Sequence, residues 1–160
     1  MARDDHRIDL LLGLLDQAFD TRAWHGTNLR GSLRGLTPAQ ALWRPAAGRH
    51  CVWDVVHHCA YWKYAVHRRI VGGIKRGSFP LAPANWPALP ARTDAQAWKA
   101  ALGLLEETHR SLREAVAALR PAALARKLGA WTVETSITGI ASHDLYHAGQ
   151  IQLVKRLHKR

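Results

Sequence analysis

Apolar residues recur at the three- and four-residue intervals of an α-helix through four long stretches of the chain, and nowhere do they alternate for long as in a half-buried strand. The first stretch runs from about Asp4 to Leu36. It places Ile8, Leu11, Leu12, Leu15 and Phe19, then Leu29, Leu33 and Leu36, at helical spacing, with Gly26 and Gly31 as points where it bends. Thr37-Pro38-Ala39-Gln40 opens a short separate helix, with Thr as cap, Pro at the first helical position and Gln at the third, and Pro45 ends it. A second long helix is predicted over Val52 to Val71. Its stripe is Val52, Val55, Val56, Cys59, Trp62, Val66 and Ile70; Asp54 sits in its first turn and Gly72-Gly73 follow its end. The third starts at the capping sequence Thr93-Asp94-Ala95-Gln96 and carries Trp98, Leu102, Leu105, His109, Leu112, Val116 and Leu119 before Pro121 closes it. The fourth begins near Thr132 and runs through Ile137, Ile140, Ala141, Ala148, Ile151 and Val154. It ends in Lys155, Arg156, Lys159 and Arg160, cations that suit the negative end of a helix.

Loop lengths turn these helices into a topology, because an antiparallel hairpin needs only a few residues whereas a parallel pair needs a crossover. The stretch between Gly72 and Thr93, with Pro80, Pro83, Pro87 and Pro90, could span about 65 Å when extended, more than twice such a helix. The expectation is an all-α protein, an up-down-down-up four-helix bundle with a long crossover between helices 2 and 3, forming a single domain over residues 1–160.

Composition narrows the setting. The only run resembling a membrane segment, Ile8 to Leu15, is short and broken by Asp9 and Gly13. There is no basic-then-apolar leader, so a cytoplasmic location is expected, without membrane association. Cys51 and Cys59 stand eight residues apart in or beside one helix, about 12 Å and beyond disulfide reach. Two free thiols fit a reducing compartment. The formal charge of +11 invites a nucleic-acid reading, yet the basic residues are scattered, as at Arg3, Arg7, Arg22, Arg30, Arg34, Arg44 and Arg49, and no nucleic-acid-binding motif accompanies them. A solubilising surface, or a basic mouth for an anionic substrate, accounts for that charge more simply.

The chemistry lies in the histidines, of which there are ten. His143 and His147 stand four residues apart, one turn on the fourth helix, where one divalent ion can bridge them. At about 100° per residue, His147 falls about 40° and His143 about 80° from the centre of the apolar stripe, so both look into or along the bundle. A third ligand must come from elsewhere, and Val55-Val56-His57-His58-Cys59-Ala60 is the donor segment. There His58 lies about 100° from the stripe, beside Val55 and Trp62, whereas His57 lies about 160° away and is expected to meet solvent. His67 and His109 read as core-edge and core imidazoles rather than ligands. Three neutral imidazoles would leave positions open on zinc, nickel, iron or manganese, which suits catalysis better than a closed structural site. Such an ion lowers the pKa of bound water or holds a thiol as thiolate. Candidate groups around it are Asp144, Tyr146, Gln150 and Tyr61. A separate cluster, Trp24, His25, Gly26, Thr27 and Asn28, breaks the first helical pattern and reads equally as a polar pocket or a kink. Tyr146, Leu153 and Leu157 form a second apolar strip on the fourth helix, a surface for a partner subunit.

Taken together, Trp24-His25-Gly26, Trp43-Arg44-Pro45 with Gly48-Arg49-His50, Val52-Trp53-Asp54-Val55-Val56-His57-His58, and above all His143-Asp144-Leu145-Tyr146-His147-Ala148-Gly149-Gln150-Ile151 resemble the DinB/YfiT-like superfamily of metal-binding four-helix bundles over nearly the whole chain. The resemblance implies an up-down-down-up bundle, often dimeric, with one divalent ion held by His58, His143 and His147. Relatives include bacillithiol- or mycothiol-dependent S-transferases, a mycothiol-dependent maleylpyruvate isomerase, proteins described as metal-dependent hydrolases, and DNA-damage-inducible products with no assigned reaction. Fold does not choose among these. No Glu stands beside His143 or His147 as a hydrolytic general base, which favours thiol activation. The leading expectation is a metal-dependent thiol S-transferase that uses a low-molecular-weight thiol on a small-molecule substrate, as a homodimer. Tyr146, Asp144 and His25 are its candidate catalytic residues, and Trp24, His25, Asn28, Tyr61 and Gln150 its candidate substrate contacts. A metal-dependent hydrolase and a non-enzymatic metal-stabilised stress or DNA-damage-response protein are the alternatives. One departure stands out: many relatives open helix 2 with Ser or Thr, whereas Cys51 stands here and caps poorly.

Overall fold

The computed structural model describes residues 6–159, and within them the chain is mostly helical. The helices are α1 (Arg7–Phe19), α2 (Leu29–Leu33), α3 (Pro38–Leu42), α4 (Val52–Val71), α5 (Ala95–Ala117) and α6 (Val133–His158). A short 3-10 helix, Pro121–Ala125, and a hairpin of β1 (Lys127–Leu128) and β2 (Trp131–Thr132) lead into α6. The expected helix start at Asp4 and the basic residues Arg3 and Arg160 lie outside the described residues. No helix among the described residues is long and apolar enough to cross a membrane.

Local chemistry explains the boundaries. α3 carries the expected capping box: Gln40 N–H donates to the Thr37 hydroxyl and Thr37 N–H to Gln40 Oε1. α4 spans the expected residues and stops at Gly72, whose φ of 70° a side chain would resist. Its start overcomes the poor cap at Cys51 through Asp54, whose carboxylate accepts the Cys51 N–H at 2.9 Å and the Arg44 guanidinium at 2.6 Å. Two boundaries differ from the sequence expectation. α5 is capped by Asp94 rather than Thr93, with Ala97 N–H donating to its carboxylate at 2.9 Å. The first long pattern is two helices, not one bent helix: residues 20–28 leave the helix, although Leu29 and Leu33 resume at helical spacing. Asn28 fills that gap: its amide donates to the Thr21 carbonyl at 2.8 Å and its oxygen caps α2 at Gly31 N–H. Gly31 lies inside α2 rather than at a bend, and a Cβ there would come within 2.9 Å of the Asn28 oxygen.

α4 packs against α5 and α6, and α1 against the same two helices. Trp53 meets Trp98 and Lys63 meets His109 across α4 and α5; Asp16 and Phe19 of α1 meet Arg113 and His109 of α5. The buried apolar residues form two clusters, one around Phe19, Trp53, Val56, Leu105 and Ile151, the other around Leu15, Val66, Leu112, Ile137 and Ile140. Between them sits a polar layer. Fully buried Lys63 pairs with fully buried Asp144, and its ammonium also lies 3.3 Å from His109 Nδ1 and 5.0 Å from the centre of the Phe19 ring. Burial pushes the Asp144 carboxyl up and the Lys63 charge opposes it. His109, stacked on Phe19 at 3.8 Å, is held neutral, its pKa driven down to about 3 by burial and by the charges of Lys63 and Arg113.

Candidate metal centre

His58 comes from α4, and His143 and His147 from successive turns of α6, so the packing of two helices sets the distances between three imidazoles. The Nε2 atoms of His58 and His147 lie 3.0 and 3.1 Å from Nε2 of His143. Nitrogens bound at about 2.0–2.1 Å to a common ion stand about 2.9–3.4 Å apart for bond angles between about 90° and 109°. The three ligand atoms thus lie close enough to share one ion.

The outward nitrogens strengthen that fit. His58 Nδ1 lies 2.7 Å from the backbone carbonyl of Asn85, and His147 Nδ1 lies 2.7 Å from Gln150 Oε1. Both partners are pure acceptors, so each Nδ1 carries the hydrogen and each Nε2 keeps its lone pair. Two lone pairs then face His143 Nε2, which can donate to one of them at most. A cation relieves that repulsion and replaces it with bonds. Burial, reinforced by the neighbouring imidazoles, holds all three neutral: His143 is driven down to about 3, His147 to about 4, and His58 is lowered in the same direction. His143 Nδ1 is buried without a partner among the described residues.

The crossover completes the wall. Asn85, with φ at 71°, turns its carbonyl to His58 while its side chain accepts the Trp62 indole N–H at 2.8 Å. Trp86 then lies flat between two imidazoles, 3.8 Å from His58 and 3.6 Å from His50. The triad opens into a cavity of about 620 Å³ whose lining also includes Arg49, His50, Tyr146 and Gln150. A family model described as the DinB superfamily matches residues 21–151. The chain belongs to the DinB superfamily. No curated protein and no solved structure matches it.

Within this DinB-superfamily chain, the expected site residues fall into two groups. Gln150 and Tyr146 reach the cavity of the triad, Gln150 on His147 and the Tyr146 ring against that of His147. Asp144 is fully buried and held by Lys63, away from the cavity lining. Tyr61 packs against Phe79 and lines a different cavity. Trp24 is fully exposed, His25 is exposed and Asn28 is occupied in capping α2; none of the three lines the cavity. His57 is a correction: it is buried, not solvent-facing, and accepts the Trp53 indole N–H at 3.1 Å. The helical wheel weighed only the main apolar stripe, whereas α5 and the crossover cover α4 from a second side. Cys59, His143 and Asp144 also bring ligand atoms within 4.8 Å of one another. Lys63 already holds Oδ2 of that carboxylate, leaving Oδ1 buried without a partner among the described residues, and burial drives the Cys59 thiol well up, away from the thiolate a metal needs.

The sequence reading missed Lys63, Asn85 and the stacking role of Trp86. Lys63 carried a signal, since it stands four residues after Cys59 and three before Val66, in the middle of an apolar stripe. Asn85 and Trp86 sit in a loop with no periodicity to place them.

Proposed function

We propose that this DinB-superfamily protein holds one divalent ion through Nε2 of His58, His143 and His147 and uses it to activate a small thiol for S-transfer. The observation that carries this reading is the convergence of three neutral imidazoles with two of their outward nitrogens tied to fixed acceptors. A bound ion supplies Lewis acidity that favours thiolate over thiol. The protein's part is to keep the three nitrogens deprotonated, to seal one side of the site with Trp86, and to present the open side to the cavity. Thiol chemistry is favoured over hydrolysis because, among the described residues, the cavity lining includes no carboxylate to serve as general base, Asp144 being paired with Lys63 outside that lining. The residue pairings of α4 with α5, of α1 with α5 and of α4 with α6 support an up-down-down-up bundle in which the long crossover joins two parallel helices. Tyr146, Leu153 and Leu157, all exposed on α6, are the surface we assign to a second copy.

Elemental analysis of purified protein tests the centre: the wild type is expected to carry about one equivalent of metal, and His58→Ala and His143→Ala to lose it. Unchanged content in both variants sinks the site. Calorimetric titration of small thiols into metal-loaded and metal-free protein tests the chemistry. Binding only to the loaded form supports it, and failure of every thiol to bind that form refutes it.

A further inference from the structure

Among the described residues, the lining of the cavity beside the triad carries one permanent cation and no carboxylate. That cation is Arg49, and its guanidinium makes no hydrogen bond or ion pair with any described residue. Its backbone is nonetheless fixed, because Arg44 Nη1 grips the Arg49 carbonyl at 2.6 Å while the same nitrogen is bonded to Asp54 at 2.6 Å. Asp54 is the carboxylate that could have neutralised this end of the cavity, and it is already consumed by Arg44 and the start of α4. The Arg49 main chain is therefore held at the cavity, while its side chain is exposed and left uncommitted. Much of the rest of the lining is apolar, with Val52, Val55, Ile151, Leu153 and Val154 among it.

Resting on the reading of the triad as a metal centre, we propose that the ligand of this cavity is a small organic carboxylate with an apolar body, its metal-binding end at the triad and its carboxylate at Arg49. A planar guanidinium offers a carboxylate two parallel N–H donors, a geometry that no other lining side chain provides. An ion on three neutral imidazoles adds positive charge to a cavity already holding Arg49, and a neutral or cationic ligand leaves that charge uncompensated. Part of the formal charge of +11 thereby acquires a local purpose.

The test is calorimetric titration of the metal-loaded protein with 3-mercaptopropionate and with its methyl ester, which keeps the thiol and removes the charge. The acid is expected to bind about tenfold or more tightly than the ester, the size of one charge-assisted hydrogen-bonded pair. In Arg49→Gln that preference is expected to collapse to about unity with the ester's affinity unchanged, and in Arg49→Lys to survive in part. Equal affinities in the wild type, a preference that persists in Arg49→Gln, or a variant that weakens acid and ester alike each overturns the proposal. Should neither thiol bind, thiol activation fails on its own, and butyrate against butyramide decides the anion question on the same protein. An Arg49-dependent preference for butyrate supports the proposal, and its absence overturns it.

Discussion

Gln150 fixes one imidazole through one oxygen, which makes its contribution separable from the packing around it. With Gln150→Leu, His147 loses the acceptor that keeps hydrogen on Nδ1, and the ring is free to take the other tautomer, in which Nε2 has no lone pair to offer. Removing such a partner typically lowers metal affinity by about 10–100-fold. A chelator-competition titration should show that loss with α-helical content unchanged, and affinity equal to wild type would remove Gln150 from the site. His109 supports a second single-residue prediction, about pH. The unfolded imidazole takes up its proton near 6.5 and the folded one only near 3, so between those values the unfolded state binds more protons. Stability from this group is complete above the unfolded pKa and is lost as pH falls, by about 1.4 kcal/mol per pH unit. Urea unfolding at stepped pH should show the wild type losing stability below about pH 6.5, and His109→Leu losing it less steeply. Parallel slopes would mean that His109 protonates in the folded protein without cost.

The register of α4 against α6 decides whether His58 meets the two histidines opposite, and the Lys63–Asp144 pair pins that register from inside the core. Removing one partner strands a buried charge at a cost of about 3–5 kcal/mol, whereas replacing both with apolar residues is often neutral. Lys63→Met is therefore expected to destabilise strongly in urea, and Lys63→Met with Asp144→Leu to recover most of that loss. The double variant should nonetheless bind metal more weakly, and wild-type affinity in it would show that apolar packing alone sets the register. Both charges were legible in the sequence, of opposite sign and each in the middle of an apolar stripe, Lys63 between Cys59 and Val66 and Asp144 between Ala141 and Ala148. The bounds of α4 and the start of α6 were legible too, because caps and glycines act over a few residues. The break after Phe19 was not, since Leu29 and Leu33 happen to resume at helical spacing. Nor was the burial of His57, because one helix's pattern does not report which neighbours cover its other side.

In the whole molecule, the exposed apolar residues of α6 lie at the mouth of the proposed site, with Tyr146 and Leu153 lining the cavity as well as facing outward. A second copy docked on this strip would narrow the entrance, so association and ligand access should be coupled. Leu153→Glu puts a charge in the middle of the strip, and sedimentation equilibrium is expected to show it as a monomer under conditions where the wild type is a dimer. A wild type that sediments as a monomer at high concentration would discard the strip as an interface. What the sequence could not convey at this level is how the crossover lies over the bundle, because its proline-rich composition bounds reach but not path.

That path has a consequence of its own. The crossover holds His58 through the main-chain oxygen of Asn85, an atom every amino acid possesses. The chain can therefore respell this stretch and still present the same oxygen at the same point, provided the residue at position 85 tolerates a left-handed backbone. What has to be inherited here is a route through space, and two proteins could share it with few letters in common.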